Sequence, residues 1–414
     1  MSRFYLIGEH LSHSFSPEIH AMLGNSDYQL KELAPDEVEA FIKHGDYDGL
    51  NVTIPYKKTV LPYLDELTDT AQRLGAVNTI VRRADGTLLG DNTDYFGFVY
   101  ALESAGIALA GKHVLVLGSG GASGPARAVA RDAGAASVTV VSRKGEIHYG
   151  NVYERCAQTE VLINCTPVGM YPEAGVTPVY PIRFPRLCGV ADVIYNPART
   201  LLLAAAQDLH IPTTGGLSML VAQAAAAHQR FTGQPVDTAQ IDRIVRAFAG
   251  QSENVVLIGM PGCGKSTVGK ALADLLGKTF VDTDARIVQK AGKPIPEIFA
   301  TEGEERFRAI EHEVICEICA GHGKVIATGG GVVTRPENQY PLAQNGTVVW
   351  LQRPLELLAT EGRPLSQAGD LDEMYRARQT LYRCFSDMQI PNDGTPDEVA
   401  ARIAKELHYE IFGH

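Results

Sequence analysis

The stretch GMPGCGKST at residues 259–267 has the spacing G-x-x-x-x-G-K-[S/T] and stands between the apolar run VVLI and the helical pattern STVGKALADLL. Glycines in such a loop let backbone N–H groups point at a phosphate, and the N-terminus of the following helix adds partial positive charge. The lysine reaches the β- and γ-phosphates, and the serine after it is a ligand of Mg²⁺. The stretch therefore predicts a P-loop for ATP and Mg²⁺, with these binding residues: Gly262, Cys263, Gly264, Lys265, Ser266 and Thr267.

The chain is much longer than one P-loop domain requires. Its 414 residues indicate two to three domains, and 45% hydrophobic with 21% charged residues is ordinary for globular proteins. The formal net charge of −11 argues against wholesale binding to nucleic acid or to acidic membranes. The longest apolar stretches are too short to span a bilayer, and the N-terminal residues do not resemble a signal peptide.

The number and spacing of the cysteines indicate the redox environment of the protein. Seven scattered cysteines suit a reducing cytosol better than a disulfide framework. We therefore expect a cytoplasmic protein that acts on small molecules, with no nucleic-acid or membrane partner. The sequence leaves the oligomeric state open.

Strand-like and helical runs alternate along the whole chain, which predicts an α/β fold of parallel sheets with helices on both faces. Ligands then bind at the carboxyl ends of the strands. Gly233 and Pro235 end one pattern, a short amphipathic helix follows, and a polar break at residues 250–254 marks a domain boundary. The strand-like runs are FYLIG, GLNVTIP, HVLVLG, SVTVVS, EVLINCT, VADVIY, NVVLIGM, KVIATGG and TVVWLQ.

Beyond the P-loop, residues 254–410 resemble shikimate kinase in the pieces FVDTDARI, FATEGEERFRAIE, ATGGGVV, GRPL and RQTLY. The resemblance implies that Asp284 holds the acceptor hydroxyl and that Asp282 lies near Mg²⁺ with Ser266. It also implies that Arg308 and Arg378 grip the substrate carboxylate. The remaining implied roles are backbone donors at Gly329, Gly330 and Gly331, catalysis by Lys265, and a lid that carries Arg363.

General physical chemistry agrees with these implied roles. The planar fork of arginine suits bidentate carboxylate recognition, and a carboxylate beside a hydroxyl can orient it and take its proton. Closure of a lid excludes water that would otherwise hydrolyse ATP. The lid region, residues 353–371, is short in this sequence.

A second glycine-rich turn, in VLVLGSGGASGPARAVA, follows a strand and opens a helix, although Ser123 stands where G-x-G-x-x-G has its third glycine. After the next strand, an NAD site would place an acidic residue on the ribose; this chain has SRK. A cationic pair suits the 2′-phosphate of NADP, so we predict NADP(H) rather than NAD. The predicted cofactor-binding residues are Gly118, Ser119, Gly120, Gly121, Ala122, Ser142, Arg143 and Lys144.

The N-terminal stretch IGEHLSHSFSPEIHAML places Ser14 and Ser16 two residues apart, with Pro17 at the start of a helix. The residue before proline is extended, so both hydroxyls can converge on one anion. Ser16 can also simply cap the helix, or do both. Polar residues then cluster beside apolar strands in GLNVTIPYKK, GAVNTI and GDNTDYFG.

These motifs, in this order, resemble shikimate dehydrogenase over residues 1 to about 240, and the resemblance continues in NCTPVGMYP, VADVIYNPARTLLL and GGLSMLVAQA. It implies that Lys57 and Asp94 are the catalytic pair and that Ser14 and Ser16 bind the substrate carboxylate. It further implies contacts to the substrate ring from Thr53, Asn78, Tyr195 and Gln223. Reduction of a ketone needs a proton on the developing alkoxide, which a lysine can donate while a carboxylate holds it in place.

Together the two resemblances imply a bifunctional enzyme with these regions: a substrate lobe at 1–100 with return helices at about 206–240, a Rossmann-like NADP lobe at 101–205, a linker at 241–253 and a P-loop kinase domain at 254–414. It would reduce 3-dehydroshikimate with NADPH and phosphorylate the resulting shikimate with Mg-ATP. The alternatives are a front half that acts on quinate, or one half that is only a binding or scaffolding module. Only 19 residues separate Arg143 from Ile163, so we expect one side of the nucleotide site to be open.

Overall fold

The computed structural model describes residues 3–11, 14–358 and 371–407. The chain divides into two compact units, Met1–Phe248 and Ala249–His414. This division falls near the end of a helix that covers most of the expected linker, residues 241–253. Each unit has its own hydrophobic core.

The first lobe of the first unit is a six-stranded sheet with the order β2-β1-β3-β5-β6-β4. Its strands are β1 (Phe4–Gly8), β2 (Gln29–Glu32), β3 (Gly49–Val52), β4 (Glu66–Leu67), β5 (Thr79–Arg82) and β6 (Leu88–Asp91). Its helices are α1 (Ser16–Met22), α2 (Val38–His44) and α3 (Asp69–Leu74).

The prediction of parallel sheets is wrong for part of this lobe. Strand β5 runs antiparallel to both β3 and β6, whereas β1 pairs in parallel with β2 and β3. For β5 and β6 the cause is local, because their connection is too short for a crossover and turns at Gly86, whose φ is +87°. Such a short connection can join only antiparallel strands.

Helix α4 (Asp94–Ser104) leads into the second lobe, a parallel five-stranded sheet with the order β11-β10-β9-β7-β8. Its elements are β7 (His113–Leu117), α5 (Ser123–Asp132), β8 (Ser137–Val141), α6 (Val152–Arg155), β9 (Val161–Asn164), β10 (Gly189–Asp192), α7 (Leu201–Gln207) and β11 (Thr213–Thr214). Between β8 and β9 the fully described chain forms one helix of four residues, α6. The short spacing thus leaves no room for a longer helix, and the open side of the nucleotide site stays a prediction.

The first unit ends with two helices, α8 (Gly216–Thr232) and α9 (Thr238–Ser252). Helix α8 packs against α4 and α1 of the front part of the unit. The packing with α4 is close, because a Cβ on Gly97 would lie only 2.6 Å from the carbonyl oxygen of Met219. Any larger residue at position 97 would push α8 away from α4.

The second unit is a parallel sheet with the order β13-β14-β12-β15-β16. Its strands are β12 (Asn254–Ile258), β13 (Thr279–Asp282), β14 (Lys324–Ala327), β15 (Gly346–Gln352) and β16 (Met388–Pro391). Its helices are α10 (Lys265–Leu276), α11 (Thr283–Ala291), α12 (Ile295–Cys319), α13 (Gln339–Ala343), α14 (Leu371–Phe385) and α15 (Pro396–Glu406). Helix α12 is broken at Gly303, where the backbone leaves the helical region.

The α/β fold predicted from the alternating pattern is confirmed in both units. The central strand β12 is buried over its whole length, as expected for a strand covered on both faces. None of the helices in the described part of the chain is both long and apolar enough to cross a bilayer. All seven cysteines are free.

Candidate active sites

The first candidate site centres on an ion pair between the turn after β3 and the start of α4. Lys57 Nζ lies 2.6 Å from Asp94 Oδ2, and both side chains are largely shielded from solvent. The backbone carbonyl of Lys57 accepts a hydrogen bond from Val77 N, which ties this turn to the segment before β5. Asp94 is in the first turn of α4, where the positive end of the helix dipole favours a carboxylate. The pair is held from two elements 37 residues apart in the chain.

Asn78 fixes the other oxygen of Asp94. Its Nδ2 donates to Asp94 Oδ1 at 2.8 Å, while its Oδ1 accepts from the backbone N–H of Thr93 at 2.7 Å. Gln223 of α8 lies at the edge of this network, with Oε1 3.5 Å from Asn78 Nδ2. Each oxygen of Asp94 therefore has a defined donor, so the carboxylate cannot rotate freely beside Lys57.

The two N-terminal serines adjoin each other. Ser14 Oγ lies 3.1 Å from Ser16 Oγ and also accepts from the backbone N–H of Ser16. Helix α1 shows no side-chain cap bond, so the capping alternative for Ser16 finds no support in this geometry. Between the serines, the ring of Phe15 packs on Tyr195 with centroids 5.5 Å apart. The loop after β10 thus meets the segment that carries the serines.

Thr53 follows β3 directly and packs on Gly8 at the end of β1, since a Cβ on Gly8 would lie 2.7 Å from its methyl group. Its backbone N–H donates to the carbonyl of Ile7 at 2.9 Å. Thr53 therefore lies at the carboxyl edge of the first sheet, four residues before Lys57. Burial raises the pKa of Tyr195, so its hydroxyl is a neutral donor.

The glycine-rich turn after β7 joins this strand to α5. Gly118 has φ of +96°, and a Cβ there would approach the Thr166 methyl to 2.8 Å. Gly120 and Gly121 face open space, and Ala122 is the N-cap of α5. Arg143 and Lys144 are exposed just after β8, with Ser142 beside them. Ser123 is buried and its hydroxyl has no partner among the described residues.

Two buried polar residues at the ends of β9 and β10 join the loops that follow these strands. Asp192 accepts from Asn164 Nδ2 at 3.1 Å, from the backbone N–H of Ile194 at 3.0 Å and from Thr200 Oγ1 at 2.8 Å. Burial raises the pKa of Asp192 to about 6 against the lowering effect of these bonds. Asn164 Oδ1 in turn accepts from Thr166. The sequence did not single out Asn164 or Asp192.

In the second unit, the P-loop joins β12 to α10. Lys265 Nζ donates to the carbonyls of Gly259 and Met260 at 2.8 and 2.9 Å, so the lysine folds back over its own loop. Ser266 Oγ donates to Asp282 Oδ2 at 2.7 Å. Oδ1 of Asp282 accepts from the backbone N–H of Asp284 and caps α11. The serine hydroxyl and this carboxylate are oxygen donors of the type that Mg²⁺ prefers.

A cavity of about 240 Å³ lies in front of the P-loop. Its walls include most residues that the sequence singled out in this unit: Gly262, Gly264, Lys265, Ser266, Thr267, Asp282, Asp284, Arg308, Gly330 and Arg378. Cys263 does not line the cavity, because its side chain is buried under the loop. Arg363 lies outside the described residues. Phe299 and Phe307 supply apolar walls that the sequence analysis did not name.

Arg308 is held by a carboxylate that sequence reasoning missed. Its Nη1 lies 2.7 Å from Glu311 Oε2, and both side chains are almost fully buried. Burial raises the pKa of Glu311, the positive charge of Arg308 opposes that rise, and the negative charge of Asp284 adds to it. Oε1 of Glu311 has no partner among the described residues. The spacing of three residues on one helix could have revealed this pair.

The GGG turn after β14 is shaped by its neighbours. Arg378 Nη1 and the hydroxyl of Tyr382 both donate to the carbonyl of Gly330, which joins α14 to the turn. A Cβ on Gly331 would collide with the guanidinium of Arg308. Asp284 and Glu311 face Gly329, since each places an oxygen 3.0 Å from where its Cβ would be. The two arginines, Asp284 and the P-loop thus border one cavity.

Two family models match this chain. Residues 6–80 match the shikimate dehydrogenase substrate binding domain, and residues 261–408 match shikimate kinase. The shikimate dehydrogenase (NADP(+)) of Symbiobacterium thermophilum is 37% identical over 268 residues, which cover 56% of this chain and 90% of that protein.

Solved structures agree with the sequence relatives. A chorismate mutase/shikimate 5-dehydrogenase fusion protein from Clostridium acetobutylicum superposes with a TM-score of 0.56 at 34% identity, covering 60% of this chain and 97% of that one. Shikimate 5-dehydrogenase from Thermus thermophilus, in complex with NADP(H) and shikimate, gives 0.53 at 31% identity, with coverages of 60% and 99%.

Proposed function

Because the chain belongs to the shikimate dehydrogenase family and carries a shikimate kinase domain at residues 261–408, we propose that it catalyses two consecutive reactions. The first is NADPH-dependent reduction of 3-dehydroshikimate to shikimate. The second is Mg-ATP-dependent phosphorylation of shikimate to shikimate 3-phosphate. Both belong to the shikimate pathway, which leads to chorismate and the aromatic amino acids. The observation that carries the proposal is that each unit brings a set of polar groups together around its own site: Lys57, Asp94 and Asn78 in the first, and Ser266, Asp282, Asp284, Arg308 and Arg378 in the second.

In the dehydrogenase site, Lys57 and Asp94 are the proposed catalytic pair. Bound NADPH supplies the hydride. Lys57 donates a proton to the alkoxide that develops on the substrate, and its charge stabilises that oxygen before transfer. Asp94, 2.6 Å away and fixed by Asn78, keeps the ammonium in position. The immobile carboxylate supports this role because a loosely held pair would lose orientation.

The remaining first-unit residues are proposed to bind the ligands. Ser14 and Ser16 offer two adjacent hydroxyls to the substrate carboxylate. Arg143 and Lys144 are exposed and can meet the 2′-phosphate of NADP, and the open space at Gly120 and Gly121 leaves room for the pyrophosphate after the turn at Gly118. The ring and its hydroxyls contact Thr53, Asn78, Tyr195 and Gln223.

In the kinase site, Asp284 is proposed to orient the acceptor hydroxyl and take its proton, while Arg308 and Arg378 bind the substrate carboxylate. The backbone of Gly330 lies beside the ring. Bound Mg-ATP supplies the phosphoryl group, with Ser266 and Asp282 as the residues that would hold the metal. Lys265 exchanges its bonds to the carbonyls of Gly259 and Met260 for the phosphates, and Arg363 remains a proposed lid residue.

We also propose a cytoplasmic location, supported by seven free cysteines, which suit a reducing compartment. The net charge of −11 disfavours nucleic acid or acidic membranes as partners. The alternatives remain a quinate-reducing front half and a catalytically silent half. The retained Lys57–Asp94 pair and P-loop favour two active halves.

The two activities are testable on one chain. Lys57→Met should lower NADPH oxidation with 3-dehydroshikimate at least about 100-fold, because general acid catalysis contributes roughly 10²–10⁴ in rate. Phosphorylation of added shikimate should be unchanged. Lys58→Met, which removes the exposed neighbouring lysine, is the matched control and should leave both rates intact.

The reciprocal variant is Asp284→Asn, which should stop phosphorylation and leave reduction unchanged. A single substitution that silences both activities would contradict independent sites. Assay of the wild type with quinate and shikimate in the oxidative direction separates the substrate alternatives. A wild-type chain that phosphorylates shikimate but does not oxidise NADPH would make the first unit a binding module.

A further inference from the structure

Arg353 lies at the carboxyl edge of the kinase sheet, in the chain that leaves β15. Strand β15 pairs in parallel with β12, the strand that ends in the P-loop, so the segments after these two strands are neighbours. Strand β16, on the other side of β15, ends just before Asn392. Ligands of parallel α/β sheets bind at this edge.

The guanidinium of Arg353 is directed at the P-loop. A Cβ built on Gly264 would lie 3.6 Å from Arg353 Nη1 and 2.6 Å from Asn392 Nδ2. Asn392 Nδ2 also donates to the carbonyl of Cys263 at 2.6 Å, which fixes the loop from the same side. Gly264 immediately precedes Lys265 and is the N-cap of α10. Arg353 therefore flanks the place where P-loop amides meet phosphates.

The hydrogen-bonding state of Arg353 differs from that of other arginines in this unit. Arg308 pairs with Glu311, Arg335 with Glu305 and Arg402 with Asp393. The Nε of Arg353, in contrast, is buried and has no partner in the part of the chain that the structure describes. A buried donor without a partner costs about 1–3 kcal/mol, so an acceptor is expected in the functional state.

We propose that Arg353 is a nucleotide-binding residue whose guanidinium contacts the phosphate chain of ATP beside Gly264. The inference rests on the proposed kinase activity and adds a residue to its nucleotide site. A guanidinium presents several N–H groups in a planar fork, which matches phosphate oxygens. In the sheet, β15 and β16 lie on one side of β12, and β13, which precedes Asp284, lies on the other side. Arg353 and Asp284 therefore approach the P-loop from different sides, which leaves the Asp284 side to the phosphoryl acceptor.

The test is nucleotide binding measured without turnover. Arg353→Gln removes the charge and keeps a polar side chain, and calorimetry gives the Kd for MgADP and for inorganic tripolyphosphate. Both dissociation constants should rise about tenfold or more, because hydrogen bonds to charged groups are the stronger ones and each 1.4 kcal/mol is tenfold. KM for ATP should rise in parallel while KM for shikimate stays constant. Arg353→Lys should recover part of the affinity.

Arg306→Gln is the matched control, because Arg306 is exposed on α12 and pairs with Glu302. It should leave nucleotide affinity unchanged. Unaltered Kd values for MgADP and tripolyphosphate in Arg353→Gln would overturn the proposal. Weaker MgADP binding with unchanged tripolyphosphate binding would also overturn it, because the contact would then be to the nucleoside. Failure of the wild type to phosphorylate shikimate would instead refute the kinase activity, which is a separate result.

Discussion

Replacing Glu311 by glutamine should destabilise the second unit far more than the same change at Glu304. Both carboxylates pair with Arg308, at 2.7 Å for Glu311 and 3.2 Å for Glu304. The side chain of Glu311 is 1% exposed and that of Glu304 is 58% exposed. Glu311→Gln therefore leaves a buried guanidinium without its buried counter-charge, whereas Glu304→Gln removes only a solvated partner.

The expected magnitudes follow from this difference in burial. Removing one partner of a buried ion pair costs about 3–5 kcal/mol, and an exposed pair is worth about 0–1 kcal/mol. Relief of the desolvation of the buried Glu311 carboxylate, and of its smaller repulsion by Asp284, offsets part of the first cost, so we expect about 3 kcal/mol. At roughly 2–4 °C per kcal/mol for a domain of this size, the midpoint should fall by roughly 6–12 °C.

The chain offers a selective probe for this measurement. It has one tryptophan, Trp350, which is buried in the second unit and packs against Tyr382. Urea or thermal unfolding followed by tryptophan fluorescence therefore reports on the kinase unit, and NADPH oxidation in the same samples reports on the first. Equal midpoints for Glu311→Gln and Glu304→Gln, or a Glu311→Gln variant more stable than wild type, would refute the reasoning.

Three further substitutions test other parts of the molecule. Burial, with a smaller effect of His228, lowers the pKa of His20 to about 3, so neutral His20 stabilises the first unit above pH 6.5 and this stability is lost as the pH falls toward 3. His20→Phe should therefore reduce the loss of first-unit stability between pH 7 and pH 4. An unchanged dependence of the melting temperature on pH, measured by circular dichroism, would contradict this. Asp192→Ala should raise KM for NADPH and lower the reduction rate at least about tenfold, because it removes the acceptor that joins the loops after β9 and β10. Asp192→Asn should have a smaller effect, because it keeps an acceptor. Equal kinetics in Asp192→Ala and wild type would show that these loops keep their positions without Asp192. Gly331→Ala should raise KM for shikimate in the kinase assay, because the added methyl group would displace the guanidinium of Arg308. Backbone strain does not contribute, because the φ of Gly331 is −99°. An unchanged KM would show that Arg308 moves without loss of substrate binding.

The sequence correctly predicted the segments whose conformation depends on neighbouring residues in the chain. The P-loop spacing between a strand and a helix is one continuous segment, and α10 begins at Lys265, within one residue of the helical pattern. The turn at Gly118 is likewise a strand–turn–helix unit, with a φ of +96° at its first glycine. The 19 residues between Arg143 and Ile163 hold only a four-residue helix, and the open side of the nucleotide site expected from this short spacing stays a prediction.

The sequence did not predict which strands and side chains from distant segments pair with each other. The hairpin of β5 and β6 reverses part of the first sheet, and alternation of strand-like and helical runs does not reveal strand direction. Three residues of the sites have roles that depend on hydrogen-bond or ion-pair partners on other segments or other helical turns, so each one alone looks like an ordinary core or surface residue: Asn164, Asp192 and Glu311. Lys57 stood beside Lys58, and only the family resemblance distinguished the two.

By itself, the sequence determined which backbone loops can hold phosphates, because glycine spacing and strand–helix order fix the local conformation. It also determined two α/β regions through hydrophobic periodicity. Only the tertiary structure decided which charged and polar groups of separate segments meet: Lys57 with Asp94, and Ser266 with Asp282. It also decided that the Arg308–Glu311 pair of one helix is buried in a wall that includes Asp284. Coulomb and hydrogen-bond energies depend on distance and burial, and both are set by packing between segments that are remote in the chain.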